Sequence, residues 1–439
     1  MLRNISILKI CNKIAESMLA DMMVSDMKQK MDKSQYGNCK GVSVQHYLMK
    51  MIHTILMKLD NRKKGDTFAV VAALIDWKQA FPRQCPTLGV QSWVDNGVRS
   101  ALIPVLTDFF RDRVMTVRWH QVTSTERKLS GSGPQGSTLG LLEYLSQSND
   151  NTQNIPQDMK YKWLDDLSVL EVINLLTIGI SSYNVRTHVP SDIPDHNGFI
   201  EASNLMTQAN INKIAEWTEM KQMKLNISKS CGMIFNFTHN FQFTSRIQIA
   251  GQPLKLVTET KLLGLILRID MKWSSNTDYL VKKANARMEI LRRLANFSAP
   301  IKDMVQIYIT YIRSILEQSC VIWHSSLTEE DSMKLERVQK NACRNILKEK
   351  YESYENSLRI LCIDSLFQRR EKLLLAFGRK CLRLEQTKEL FPLNENIDTL
   401  KLRTRGKYRI TETNTERFKN STVPCIQRIL NEKERHSSH

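Results

Sequence analysis

The run FAVVAALID, residues 68–76, holds eight apolar residues in succession and then stops on an acid. A strand with one wet face alternates apolar and polar residues, whereas one covered on both faces reads as a continuous apolar run. The run therefore predicts a central strand, with Asp76 placed where the chain leaves the core. A second acidic stretch, YKWLDDLSVL at 161–170, sets Asp165 and Asp166 between short apolar runs that look like strands. Taken alone, an Asp-Asp pair between Leu164 and Leu167 is also ordinary turn chemistry, in which short acidic side chains cap their own backbone. Which reading holds depends on partners elsewhere in the chain.

At 439 residues the chain is long enough for two or three domains with a large core. Its 63 Lys and Arg against 45 Asp and Glu give a net charge of +18, which favours a polyanionic partner such as nucleic acid, with an anionic membrane surface as the rival. No window has the eighteen uncharged apolar residues of a membrane span, and MVQIYITYI at 304–312 reads as a buried helix. The N-terminus interrupts its apolar positions with Arg3, Lys9, Lys13 and Glu16, unlike a signal peptide, so we expect a soluble, intracellular, reduced chain. Nine cysteines are scattered with no C-x-x-C pair, and nine histidines form no H-E-x-x-H, so any metal must be held by oxygen ligands. His46, His53 and Cys39 read as structural or surface residues.

Apolar spacing predicts helices over 5–28 and 42–58, separated by the glycine-containing loop QYGNCKG at 35–41. VMTVRWHQV at 114–122 alternates as a half-exposed strand, and the loop SGSGPQGST at 130–138 precedes a helix starting near Leu139. After 170 we expect a helical segment to about Ile180, then an irregular stretch with two prolines, then a helix over 203–222 carrying Leu205, Ile211, Ile214 and Trp217. GMIFNF at 232–237, FQFTSRIQIA at 241–250 and KLLGLIL at 261–267 read as strands. Beyond 273 the pattern turns to long helices. Leu280, Ala284, Met288, Leu291 and Ala295 mark a buried face, with Lys282, Lys283, Arg287, Arg292 and Arg293 on others.

Joining a 3′-hydroxyl to a nucleotide requires charge stabilisation on the attacking and leaving oxygens, which two cations held by carboxylates from separate strands provide. LIDWKQAF (74–81), GPQGSTLG (133–140) and KWLDDLSVL (162–170) resemble, in order, the catalytic motifs of reverse transcriptases. QYGNCKG and TKLLGLIL resemble flanking motifs of the non-LTR (LINE-type) retrotransposon branch, and residues 316–347 resemble the region that follows the polymerase core there. Three ordered motifs constrain far more than any one of them.

That resemblance implies Asp76 and Asp165 as principal metal ligands and Asp166 as the third carboxylate, holding two Mg²⁺ or Mn²⁺ ions. It implies Phe81, five residues after Asp76, as the bulky gate against a ribose 2′-hydroxyl, which argues for DNA as product and against an RNA-dependent RNA polymerase. Gln135 and Gly136 correspond to the loop beside the incoming nucleotide, Lys229 to the lysine that neutralises or protonates departing pyrophosphate, and Arg3 to a triphosphate contact. Leu263 and Gly264 correspond to a turn that grips the primer. The chain departs from the pattern at Trp163, where a smaller aromatic is usual, and at Asn4, which replaces a proline.

The resemblance implies an α+β right-hand polymerase: partial fingers and palm with an antiparallel sheet over 1–270, a helical thumb over 271–350, and a basic C-terminal helical region over 351–439. The implied activity is RNA-directed DNA polymerisation on an RNA template and DNA primer with dNTPs, and the implied location is the nucleus at the site of integration. Upstream finger strands, an endonuclease and a zinc knuckle are not found, so we expect a fragment of a longer element, truncated at its N-terminus. The competing expectation is a catalytically inactive nucleic-acid-binding remnant.

Overall fold

The computed structural model describes residues 8–60, 68–81, 83–128, 136–174, 198–201, 205–237, 243–394 and 406–437. Its centre is a five-stranded sheet of β1 (Phe68–Ile75), β2 (Lys160–Trp163), β3 (Asp166–Asn174), β4 (Cys231–Phe235) and β5 (Lys255–Leu256), in the order β5-β4-β1-β3-β2. All neighbours are antiparallel except β5 and β4.

The unbroken apolar run of β1 has the predicted cause. Val70, Ala72 and Leu74 face one core, and Ala69, Val71, Ala73 and Ile75 face another. The first core takes in helix Val44–Asp60 and the C-terminal helices; the second takes in helices Ile10–Met27, Pro86–Asp95, Thr138–Gln147 and Met206–Met220. Helix Ser274–Asn296 buries Leu280, Ala284, Met288, Leu291 and Ala295, the face its spacing predicts, mostly against helix Glu329–Leu347. Leu291→Ala is expected to cost about 2–5 kcal/mol through cavity formation, and Arg292→Ala on the exposed face within ~0.5 kcal/mol. Urea titration of the two variants checks the assignment.

Four expectations change. Residues 114–122 form no single strand: Val114–Met115 pairs with Arg127–Lys128 and Arg118–Trp119 with Val122–Thr123, because the Val117 N–H goes to Ser124 Oγ at 2.9 Å and interrupts the ladder. Residues 171–174 continue β3 instead of starting a helix, since pairing with β1 runs to Phe68↔Asn174; residues 175–180 lie outside the described residues. The 241–250 strand is two pieces, Phe243–Ser245 and Gln248–Ile249. KLLGLIL is a hairpin, Glu259–Leu262 against Leu265–Arg268, turning at Leu263 and Gly264. Gly264 has φ +89°, and a Cβ there would stand 2.6 Å from Gln318 Nε2, so the turn needs glycine. No described helix is long and apolar enough to cross a membrane.

Candidate active site

The three aspartates gather at one end of the sheet because of two registers. Trp163 pairs with Asp166, leaving Leu164 and Asp165 as the two-residue turn between β2 and β3. One residue beyond the last β1–β3 pair, Ile75↔Leu167, the same register sets Asp76 across from Asp166. Sequence reading of FAVVAALID and YKWLDDLSVL thus leads to neighbouring strands, the adjacency that motif spacing alone leaves open.

Lys229 joins them through a looped-out segment. Pairing between β1 and the following chain goes from Leu74↔Cys231 to Trp77↔Leu225, six residues against three, so 226–230 bulge over Asp76. Asp76, Asp166 and Lys229 then line one open cleft together with Cys231, Thr260, Lys261 and Leu262. Its volume of about 70 Å³ is room for a few waters or an ion with part of its hydration shell.

Asn226 fixes Asp76 in this arrangement. Its carboxamide Nδ2 donates to Asp76 Oδ2 at 2.7 Å, and its backbone N–H donates to the Asp76 carbonyl at 2.8 Å. The Asp76 N–H donates to Ser230 Oγ at 3.1 Å, and that hydroxyl donates to the Asn226 carbonyl at 3.0 Å. Sequence reading passed over Asn226; its only signal is its position in KLNISKS, three residues before Lys229.

Phe81 is half-buried, its ring 5.1 Å from that of Tyr144 in helix Thr138–Gln147. Tyr144 is a second residue the sequence did not single out. Burial first, then the charges of Asp165, Asp166 and Asp76, hold its phenol well above its ordinary pKa, so all three carboxylates are within electrostatic reach of one hydroxyl. Gly136 has φ +104° just before Ser137, whose Oγ caps that helix at Gly140 N. Glu16 Oε2 accepts from Ser137 Oγ and from the Thr138 N–H, each at 3.0 Å, and ties helix Ile10–Met27 to the loop. Arg3 and Gln135 lie outside the described residues. His46 and His53 are buried beside Phe377 and Phe418, and burial pushes both imidazoles down to about 4, so they are neutral core residues at pH 7.

The donor set tests which ion could sit here. Among the described residues no three His, Cys, Asp or Glu side chains would enclose a metal ion unaided. Two carboxylates on one cleft wall still fit Mg²⁺, a hard cation that typically takes one or two protein carboxylates and completes its shell with water and substrate phosphates. They do not make a thiolate or imidazole site.

Fold and site together define a mixed α/β chain, rich in helices, with carboxylates gathered at one end of a central sheet. No family model matches the sequence. Over 331 residues, 73% of its length, the chain is 22% identical to the probable RNA-directed DNA polymerase from transposon X-element of Drosophila melanogaster, of which it covers 33%. The motif resemblance to transposon reverse transcriptases is borne out by that similarity, and the chain spans about a third of the length of the curated relative it matches. Among solved structures, telomerase from Candida albicans in complex with a TWJ fragment of telomeric RNA aligns over 86% of this chain and 57% of its own, at 10% identity and a TM-score of 0.36.

Proposed function

We propose that the chain is the polymerase part of a transposon reverse transcriptase, adding deoxynucleotides to a DNA primer 3′-end on an RNA template. The observation that carries this reading is the convergence of Asp76, Asp166 and Lys229 on one cleft, with Asp165 on the adjoining turn. Asp76 and Asp165, with Asp166 as the third carboxylate, would together hold Mg²⁺, and of these Asp76 and Asp166 line the cleft itself. When bound, such ions supply stabilisation of charge on the attacking and departing oxygens.

The remaining work falls to the chain's own side chains. Asn226 holds the Asp76 carboxylate in place. Lys229, at the cleft wall, neutralises or protonates departing pyrophosphate. Phe81, backed by Tyr144, excludes a 2′-hydroxyl, while Gln135 and Arg3 contact the incoming nucleotide. The sheet with its flanking helices serves as palm and partial fingers, the helices over 271–350 as thumb, and 351–439 as a basic C-terminal helical region. Lys261, at the cleft wall, donates to the Tyr279 hydroxyl at 2.8 Å. Lys283 and Arg287 follow Tyr279 at successive turns of helix Ser274–Asn296, with Arg287 stacked on Tyr311 at 4.1 Å. This file of cations leads away from the cleft and suits a phosphate backbone, whose contacts position without reading sequence.

Primer extension on an RNA template with Mg²⁺ tests the proposal, with dNTPs and rNTPs compared. The parent should prefer dNTPs, and Phe81→Val should reduce the dNTP-to-rNTP ratio of kcat/KM by about tenfold or more, because the aromatic wall against the 2′-hydroxyl is gone. Salt-dependent duplex binding without incorporation of either would select the inactive remnant instead.

A further inference from the structure

We propose that the loop 32–37 is a brace for the aspartate turn, and that Gln35 is the positioning residue of that brace. The inference rests on the polymerase reading for its consequence in catalysis, though not for its geometry. The turn is held in a costly shape. Leu164 has φ +56°, a left-handed conformation that a branched residue adopts only where its surroundings impose it.

The two-residue hairpin turn demands it at this position, and one oxygen holds the turn there. Gln35 Oε1 accepts from the Leu164 N–H at 3.1 Å and from the Gly37 N–H at 2.9 Å, bridging the turn to the loop. Gln35 is 5% exposed, so water cannot easily replace it. Gly37 makes the approach possible, since a Cβ there would lie 2.7 Å from the Leu164 backbone nitrogen.

The bridge is continued along the strand. Lys162 of β2 donates its N–H to the Ser34 carbonyl at 2.9 Å, and its carbonyl accepts from the Tyr36 N–H at 2.8 Å. The loop thereby covers the outer edge of the sheet, where β2 is the last strand. Tyr36 packs between Tyr47 and Tyr161, with ring centroids at 5.9 and 6.4 Å, and the Tyr47 hydroxyl contacts Ser168 Oγ of β3 at 2.5 Å. Both strands of the hairpin carrying Asp165 and Asp166 are therefore held from the same side. Metal-holding carboxylates work only when fixed to within about half an ångström, and partners one shell out typically change activity by about 10–100-fold.

Two variants separate this role from general stability. Gln35→Met keeps length and volume without an acceptor oxygen, and Gln35→Glu keeps the oxygen. Amide hydrogen exchange of the 160–168 segment should speed up about tenfold or more in Gln35→Met, with helix 274–296 unchanged, while Gln35→Glu stays near the parent. In primer extension Gln35→Met should lose about 30-fold in kcat, with template–primer affinity and the KM for dNTP within about twofold of the parent. If Gln35→Met does not fold, Gly37→Ala, which pushes the loop off the turn, should show the same local acceleration. Unchanged exchange at 160–168, or Gln35→Glu exchanging as fast as Gln35→Met, would overturn the brace. A parent that incorporates nothing would sink the polymerase reading alone, because the exchange comparison decides the brace without any turnover.

Discussion

Asp76→Asn, Asp165→Asn and Asp166→Asn are each expected to lower single-turnover dNTP incorporation by about a thousandfold or more, equivalent to ~4 kcal/mol of transition-state stabilisation. Duplex affinity should stay within about twofold. The substitution is chosen because it removes charge and little else: an asparagine oxygen at position 76 can still accept from Asn226 Nδ2, which now sits 2.7 Å away. On the proposed reading the stabilisation at stake would be that of cations held by these carboxylates against developing charge on two oxygens, so losing one carboxylate should act on the chemical step and not on primer–template binding. Rates from rapid quench, set beside anisotropy binding of the same template–primer, make the comparison. A variant at 76 or 166 retaining a tenth of the parental rate would show that the cleft they share is not the reacting centre.

Asp76 and its strand were legible because two simple physical signals coincide. Burial on both faces suspends alternation in β1, and the run ends on an acid where the strand leaves the core. The face of helix Ser274–Asn296 was legible for a similar reason, since 23 residues give a helical period room to declare itself. The short paired segments that replace the expected strand at 114–122 were not. Ladders of two residues have no period to read, and only the bond from the Val117 N–H to the Ser124 Oγ shows where they break. Glu171–Asn174 was misread because a short apolar stretch fits helix or strand, and pairing with β1 decides it. Gln35, Asn226 and Tyr144 escaped for another reason. Each is polar or amphipathic, and each acts through a tertiary partner: Gln35 and Asn226 reach residues 129 and 150 positions away, and Tyr144 meets the aspartates only once the sheet has formed. Position in a motif can suggest a carboxylate ligand; what aims the ligand is a tertiary contact.

The same limit applies beneath the brace, where Asp32→Asn is expected to destabilise the fold by about 3–5 kcal/mol, the range for breaking a buried ion pair. Asp32 Oδ2 lies 2.8 Å from Lys162 Nζ and 3.2 Å from Lys160 Nζ, with all three side chains at most 8% exposed. Burial alone would raise the Asp32 carboxyl; the charge and hydrogen bond of Lys162, the Ser34 N–H and the charge of Lys160 outweigh it and hold the group well below the usual carboxylate range. A carboxyl depressed in the folded state stabilises at pH values above its unfolded pKa, so the advantage of the parent over Asp32→Asn should be full at pH 7 and shrink as pH falls below about 4. Burial pushes Lys162 the other way, down to about 8 even with Asp32 beside it. Without the carboxylate the two ammonium groups face each other inside the protein. Since the unfolded chain keeps those protons up to about pH 10, the variant should regain stability as pH rises from 7 to 9. Adding Lys160→Met and Lys162→Met to Asp32→Asn should recover much of the loss, because the cost lies in uncompensated charge more than in the missing pair. Urea denaturation of the three proteins at pH 7 and 9 provides the numbers, and a single variant as stable as the parent, or a triple variant weaker than the single, would remove Asp32 as the anchor on which the loop 32–37 is built.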